Sequence, residues 1–326
     1  MPYWTVPFKF LLIFLLSSVV SPAKINPRNA EKVLSEEKLR YEVSFLADSL
    51  CEGRSTGTWG GALAGLWISR RFEETGLKKF DGSWFRSFVY RGYKGSNVIG
   101  YLPGRDAGRY IIVGAHYDGM GKIGGVLYPG ADSNASGVAA LISLAEMFAR
   151  LKMLGKDYPG GIIFVAFDGQ RLNLSGSTEI ARLIGHGELS DPVTGEPITP
   201  EMIHYMINID QVGGTYSPLT PGRKDYLIML SDEETGRRTA LTNANGQYFL
   251  GLDIDFTYYG SRDFTRLFYR RISDQRAFLE KGIPSVMFTS GITMLNNKPA
   301  DNAASIDYDI LRKRILLMYH YILRLL

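Results

Sequence analysis

Tyr110-Ile111-Ile112-Val113-Gly114-Ala115-His116-Tyr117-Asp118, followed further on by Pro129-Gly130-Ala131-Asp132-Ser133-Asn134-Ala135-Ser136-Gly137, decides how this chain is read. The first stretch is a short apolar run rich in β-branched residues, as a buried strand requires. It delivers a histidine and an aspartate at its carboxyl end. The second opens a segment, Ala135–Leu151, whose apolar residues recur at helical spacing. A strand, a loop carrying acid and imidazole groups, and then a helix make up one βα unit.

The same alternation continues on both sides. Asn97–Leu102, Gly161–Phe167, His204–Ile209, Tyr226–Leu230 and Ser285–Phe288 read as further strands, and Ser177–Ile184, Arg237–Leu250 and Tyr308–Leu326 as helices. Strands separated by helices of this length predict an α/β fold: a doubly wound, mostly parallel sheet with helices on both faces. Ligands of such sheets gather at the carboxyl ends of the strands, where His116 and Asp118 stand. Gly185–Pro200 reads as a surface loop. The last helix carries Ile310, Leu311, Ile315, Met318 and Ile322 on one side and is expected to pack back onto the sheet rather than lie on a membrane surface. Between Tyr258 and Arg271 aromatics interleave with arginines, which predicts core aromatics under a solvated basic face.

Toward the amino end, residues 24–96 form a segment with apolar residues at helical spacing, interrupted by Gly53-Arg54-Ser55-Thr56-Gly57-Thr58, and are expected to be a helical segment packing on the main domain, residues 97–326. Residues 1–23 read as a signal peptide, with Lys9 as the only charge, an apolar run from Phe10 to Val20 and small residues at Ser21-Pro22-Ala23. The apolar run is shorter than the roughly 20 residues a spanning helix needs. Export to a periplasmic or extracellular location, with no transmembrane span in the mature chain, is therefore expected. The single cysteine, Cys51, excludes an internal disulfide. A balance of 37 Lys+Arg against 33 Asp+Glu, without a long basic block, argues against a nucleic-acid partner. No repeat or low-complexity tract is present, and nothing in the sequence signals an oligomeric state.

His116-x-Asp118 followed by Pro-Gly-Ala-Asp-x-Asn-Ala-Ser-Gly is similar to the signature of the di-zinc aminopeptidase family, zinc exopeptidases related to bacterial leucyl aminopeptidases and, more distantly, glutaminyl cyclases. Gly53-Arg54-x-x-Gly57-Thr58, Asn97-Val98-Ile99-Gly100, Phe164-Val165-Ala166-Phe167, Ile207-Asn208-Ile209-Asp210 and Gly282-Ile283-Pro284-Ser285 fall in family order. The resemblance implies the zinc-exopeptidase, phosphorylase/hydrolase-like fold. It also implies two zinc ions that share a bridging carboxylate, acidify a water and polarise the scissile carbonyl, with a glutamate as general base.

Carried over position by position, His116 and Asp210 remain as metal ligands, and Asp118 as the carboxylate that orients His116. The bridging position holds Ser133. The general-base position holds Gln170, and the adjacent glutamate ligand is Arg171. The last histidine ligand is Asn297. What is left of the set supports at most one metal ion, since a tight zinc site ordinarily supplies three or four protein ligands. His116 is either a surviving ligand or a residue hydrogen-bonded to Asp118 or Asp210. Arg171 either enters the former metal space and pairs with Asp210, Asp132 or Asp118, or turns to solvent. Asp132, Asp168 and Asp274 are further cleft candidates. The resemblance as a whole implies a metallopeptidase-family protein, catalytically inactive or impaired, that holds a peptide or small-molecule ligand. The alternative is an active exopeptidase with a rebuilt single-metal site using Asp132 or Asp168.

Overall fold

The computed structural model describes Met1, residues 25–232 and residues 235–326. The leader expected over residues 1–23 falls, Met1 aside, outside the described residues. Among those described, no helix is long and apolar enough to cross a membrane.

Ten strands and nine α-helices are described. Helices α1 (Arg28–Glu31), α2 (Glu36–Leu46) and α3 (Trp59–Glu74) lead into a hairpin of β1 (Phe85–Tyr90) and β2 (Tyr93–Leu102). Next come β3 (Tyr110–His116), a small β4–β5 ribbon (Gly121–Ile123, Val126–Tyr128), α4 (Ser136–Met153), β6 (Gly161–Phe167), α5 (Ser175–Gly185) and β7 (Ile203–Ile209). The chain closes with β8 (Tyr226–Leu230), α6 (Thr235–Gln247), β9 (Asp253–Asp255), α7 (Arg262–Arg271), α8 (Gln275–Leu279), β10 (Ser285–Thr289) and α9 (Tyr308–Leu325). Eight strands form one sheet in the order β1-β2-β6-β3-β7-β10-β8-β9. β6, β3, β7 and β10 run parallel, and the outer β1–β2, β2–β6 and β8–β10 ladders are antiparallel. The expected mostly parallel α/β sheet is therefore present.

Side-chain alternation explains the two layers. Ile111, Val113 and Ala115 of β3 and Ile162, Phe164 and Ala166 of β6 face the larger core with α2, α3, α4 and α9. Tyr110, Ile112, Ile163, Val165 and Phe167 face the smaller one with α5 and α8. α9 packs as expected, with Leu311, Ile315, Met318 and Ile322 fully buried. Its basic cluster divides: Lys313 pairs with Asp309, while Arg314 is buried and donates to the carbonyls of Tyr226, Val212 and Gly214.

One expected boundary moves. β2 runs through position 96, and β1, inside the segment expected to be helical, is the edge strand of the main sheet. The reason lies in the turn. Arg91 and Gly92 both take positive φ (48° and 86°), the two-residue geometry that matches hairpin twist, and Tyr90 pairs with Tyr93 across it. The aromatic and arginine stretch also resolves. Phe268 and Tyr269 of α7 are buried, while Arg262, Arg266 and Arg270 line a groove of about 820 Å³ on its outer side.

Candidate functional site

Everything that positions the site converges on the carboxyl ends of β3 and β7, neighbours in the sheet whose outward connections diverge. His116 ends β3 and Asp210 follows β7. Asn134, in the irregular turn before α4, ties these ends together. Its amide nitrogen donates to the carbonyls of Ile209 (2.9 Å) and His116 (3.3 Å), and its Oδ1 accepts from the backbone of Gly137 (3.1 Å) and Gln211 (2.9 Å). The bond to Gly137 satisfies an N–H of the first turn of α4, so the same carboxamide joins the helix start to both strand ends. Asp301 holds the other end of this turn, accepting from the backbone N–H of Asp132 (2.7 Å) and Ser133 (3.2 Å).

His116 is buried between acids. Its Nε2 lies 3.4 Å from Asp210 Oδ1, and its Nδ1–H donates to the Asp118 backbone carbonyl at 3.0 Å, with the Asp118 carboxylate 3.6 Å away. Burial alone would lower the imidazole pKa, but Asp210 and Asp118 outweigh it and push it up to about 10. Asp210 accepts a 2.6 Å bond from the Ser273 hydroxyl; burial opposes its ionisation, yet His116 and Ser273 hold its carboxyl below the usual range. Asp118 accepts the backbone N–H groups of Gln170 (2.9 Å) and Arg171 (3.1 Å), so it fixes the loop after β6 as well as His116. Asp274 is fully buried close to this group. Neither of its carboxylate oxygens has a hydrogen-bond partner, and burial raises its pKa to about 7.

The remaining site positions form a second network in which Arg171 is the only ionised group. Arg171 donates from Nη2 to Asn297 Oδ1 at 2.6 Å, and Gln211 donates from its side-chain amide to Ser133 Oγ (3.1 Å) and Asn296 Oδ1 (3.0 Å). These residues, with Gln170 and Asp210, line a cleft of about 170 Å³ whose apolar lining is Phe268, Ile272, Met287 and Ile292. Arg171 thus lines the exposed mouth of the cleft, and its partner is a carboxamide rather than one of the carboxylates of Asp210, Asp132 or Asp118. Asp132 and Asp168 are held elsewhere. Asp132 accepts from Gly213, Gly214 and Ser136, and burial beside Asp301 raises its pKa to about 6. Asp168 accepts from Thr56 and the backbone of Ser96 and Gly169, faces a separate groove, and is raised to about 6 by burial and by Asp118. Gln211, Asn296, Ser273 and Asp301 complete the site without having been singled out in the sequence. Gln211 adjoins Asp210, and Ser273 adjoins Asp274, but nothing in either stretch tells which partner each residue meets.

The donor set does not fit a zinc pair. One imidazole and one carboxylate face each other, and the bridging and outer positions are a hydroxyl, a guanidinium and a carboxamide. Among the described residues no three His, Cys, Asp or Glu side chains converge in a metal-holding group.

An eight-stranded α/β sheet with these groups at the strand ends has the architecture of the zinc exopeptidases. Solved structures with it include LapB from Legionella pneumophila (TM-score 0.70, 16% identity, 93% of this chain and 76% of that one). Another is an aminopeptidase from Aneurinibacillus sp. strain AM-1 (TM-score 0.65, 14% identity, 92% and 96%). A probable zinc metalloprotease of Pyrenophora tritici-repentis is 28% identical over 291 residues, which cover 78% of this chain and 62% of that protein. The chain thus spans somewhat over half the length of that relative. The profile of Peptidase family M28 matches residues 97–322, and the chain belongs to that family.

Proposed function

We propose that this M28-family chain is an exported, non-catalytic member that uses the former peptidase cleft to bind a peptide or small-molecule ligand. One observation carries the reading: Arg171 and Asn297, at two positions where the family resemblance implies metal ligands, are hydrogen-bonded to each other at 2.6 Å. A fixed cation there repels a divalent ion. Gln170, at the general-base position, has no proton to exchange in the accessible pH range. The single-metal alternative lacks support from Asp168, both of whose oxygens accept hydrogen bonds from Thr56, Ser96 and Gly169, and from Asp132, whose Oδ1 is held by Gly213, Gly214 and Ser136.

The test is zinc content after refolding with excess zinc, together with release of leucine from a leucyl anilide. Substoichiometric zinc and no chelator-sensitive release are expected. Activity that disappears in His116→Phe and Asp210→Asn variants would sink the proposal. Placing Asp, Glu, Glu and His at positions 133, 170, 171 and 297 is expected to raise zinc content toward stoichiometry. Amino-terminal sequencing of the exported protein, expected to begin after Ala23, tests export.

A further inference from the structure

We infer that the cleft recognises its ligand through a carboxylate held by Arg171, with one apolar side chain against Phe268, Ile272, Met287 and Ile292. This rests on the non-catalytic reading above and gives it a ligand class: an α-carboxylate attached to an apolar residue.

Hydrogen-bond polarity makes the first argument. Arginine only donates, so the 2.6 Å contact fixes the Asn297 carboxamide with its oxygen toward Arg171. The acceptor of Asn297 is thereby used, and its NH₂ remains. The rest of the Arg171 fork also remains, because none of the ion pairs among the described residues includes it. This wall therefore presents N–H donors to the cleft, and what complements it is an acceptor with two oxygens in a plane.

Charge makes the second. Asp210, the acid of this cleft, is already matched by His116 and Ser273, and Asp118 is occupied by backbone N–H groups. Lys298 lines an adjoining crevice together with Arg171, Asn297 and the buried Asp301, whose carboxylate is taken up by the backbone N–H groups of Asp132 and Ser133. The exposed charge at the mouth is positive, which disfavours a ligand ammonium and favours a carboxylate. Size makes the third: about 170 Å³ accommodates one apolar side chain and its carboxylate, not an extended peptide.

The carboxylate belongs either to a free acylated amino acid or to the last residue of a peptide, and four probes separate these. N-acetyl-leucine, leucinamide, acetyl-alanyl-leucine and acetyl-alanyl-leucinamide are titrated calorimetrically into the full chain in the presence of a chelator. N-acetyl-leucine is expected to bind at least tenfold more tightly than leucinamide. Binding of acetyl-alanyl-leucine but not of its amide would assign a peptide carboxyl terminus; binding of N-acetyl-leucine alone would assign the free acid. Arg171→Gln is expected to weaken carboxylate binding by about 10-fold to 100-fold, the range for a lost charge-assisted bond, and Arg171→Lys to weaken it less. Arg171 is exposed, so an unchanged melting curve will show that the variants fold. The inference is overturned if leucinamide binds as tightly as N-acetyl-leucine, if Arg171→Gln binds N-acetyl-leucine like the parent, or if no probe binds. Its failure is distinct from failure of the non-catalytic reading, which shows as chelator-sensitive peptidase activity and needs no carboxylate binding.

Discussion

Replacing Asp210 with Asn tests whether an imidazolium, rather than a metal ion, is the partner of that carboxylate. His116 has an ordinary pKa of 6.5, raised to about 10 in the folded chain. A pKa raised by folding stabilises fully below the unfolded value, and the contribution is lost as pH climbs through the folded one. For Asp210 the shift is downward, so its contribution is present above its ordinary 3.8 and is lost as pH falls through the lower folded value. The pair thus stabilises from mildly acidic pH up to the region of pH 10. The His116 shift is the net of attraction by Asp210 and Asp118 over the opposing cost of burial, on the order of 5 kcal/mol at ~1.4 kcal/mol per unit, so the two acids together supply more than this. Removing the Asp210 charge is therefore expected to cost about 3–5 kcal/mol near pH 7, the range for losing one partner of a buried pair. Urea melts of parent and Asp210→Asn, with and without a chelator, read this directly. The gap should narrow toward pH 10, and chelator should move neither curve. A chelator that lowers the parent's midpoint and abolishes the difference would refute the reasoning, because a bound ion would then be what Asp210 holds.

Two further predictions concern the support of the site. Arg54 is fully buried and donates to the carbonyls of Tyr117, Leu46, Pro129 and Gly130, which join the residue after His116 to the turn that carries Ser133. Arg54→Met orphans these acceptors and should destabilise by about 3–5 kcal/mol in the same melts, with Arg54→Lys intermediate; a loss under about 1 kcal/mol would contradict this account. The Cys51 thiol is buried, and desolvation pushes its pKa up to about 11, so a disulfide reagent at pH 8 should modify the native protein far more slowly than the urea-unfolded chain. Equal rates would show that the thiol is accessible.

What could be read from the sequence was whatever is local in the chain. The continuous apolar runs of β3 and β6, buried along their whole length, the helical spacing in α4 and α9, and the ordered motifs around His116 and Asp132-Ser133-Asn134 are properties of short stretches, and from them follow the sheet and its carboxyl edge. β1 was passed over because Phe85–Tyr90 is a half-exposed edge strand whose assignment depends on the positive-φ turn at Arg91-Gly92. The site's hydrogen bonds were less accessible. Ser273 reaches Asp210 across 63 positions, Gln211 reaches Asn296 across 85, and Arg171 reaches Asn297 across 126. A motif can say which residue type stands at a position, but it does not say that Asp132 and Asp168 turn to Gly213, Gly214, Thr56 and Ser96 and leave the cleft.

The partner that Arg171 takes follows from how the neighbouring acids are satisfied. A group of carboxylates that has lost its cation would be expected to capture the nearest guanidinium. Here each acid is already provided for by a different route. Asp210 has the imidazolium of His116 and the Ser273 hydroxyl. Asp118 caps the Gln170–Arg171 backbone. Asp274, whose oxygens accept no hydrogen bond, has its pKa raised to about 7 by burial. With these charges settled, no buried acid draws Arg171 inward. It stays at the exposed mouth of the cleft with a neutral carboxamide as its partner, Asp210 feeling its charge only at longer range. The N–H groups of Arg171 that Asn297 does not take are thereby left to a ligand at the cleft mouth.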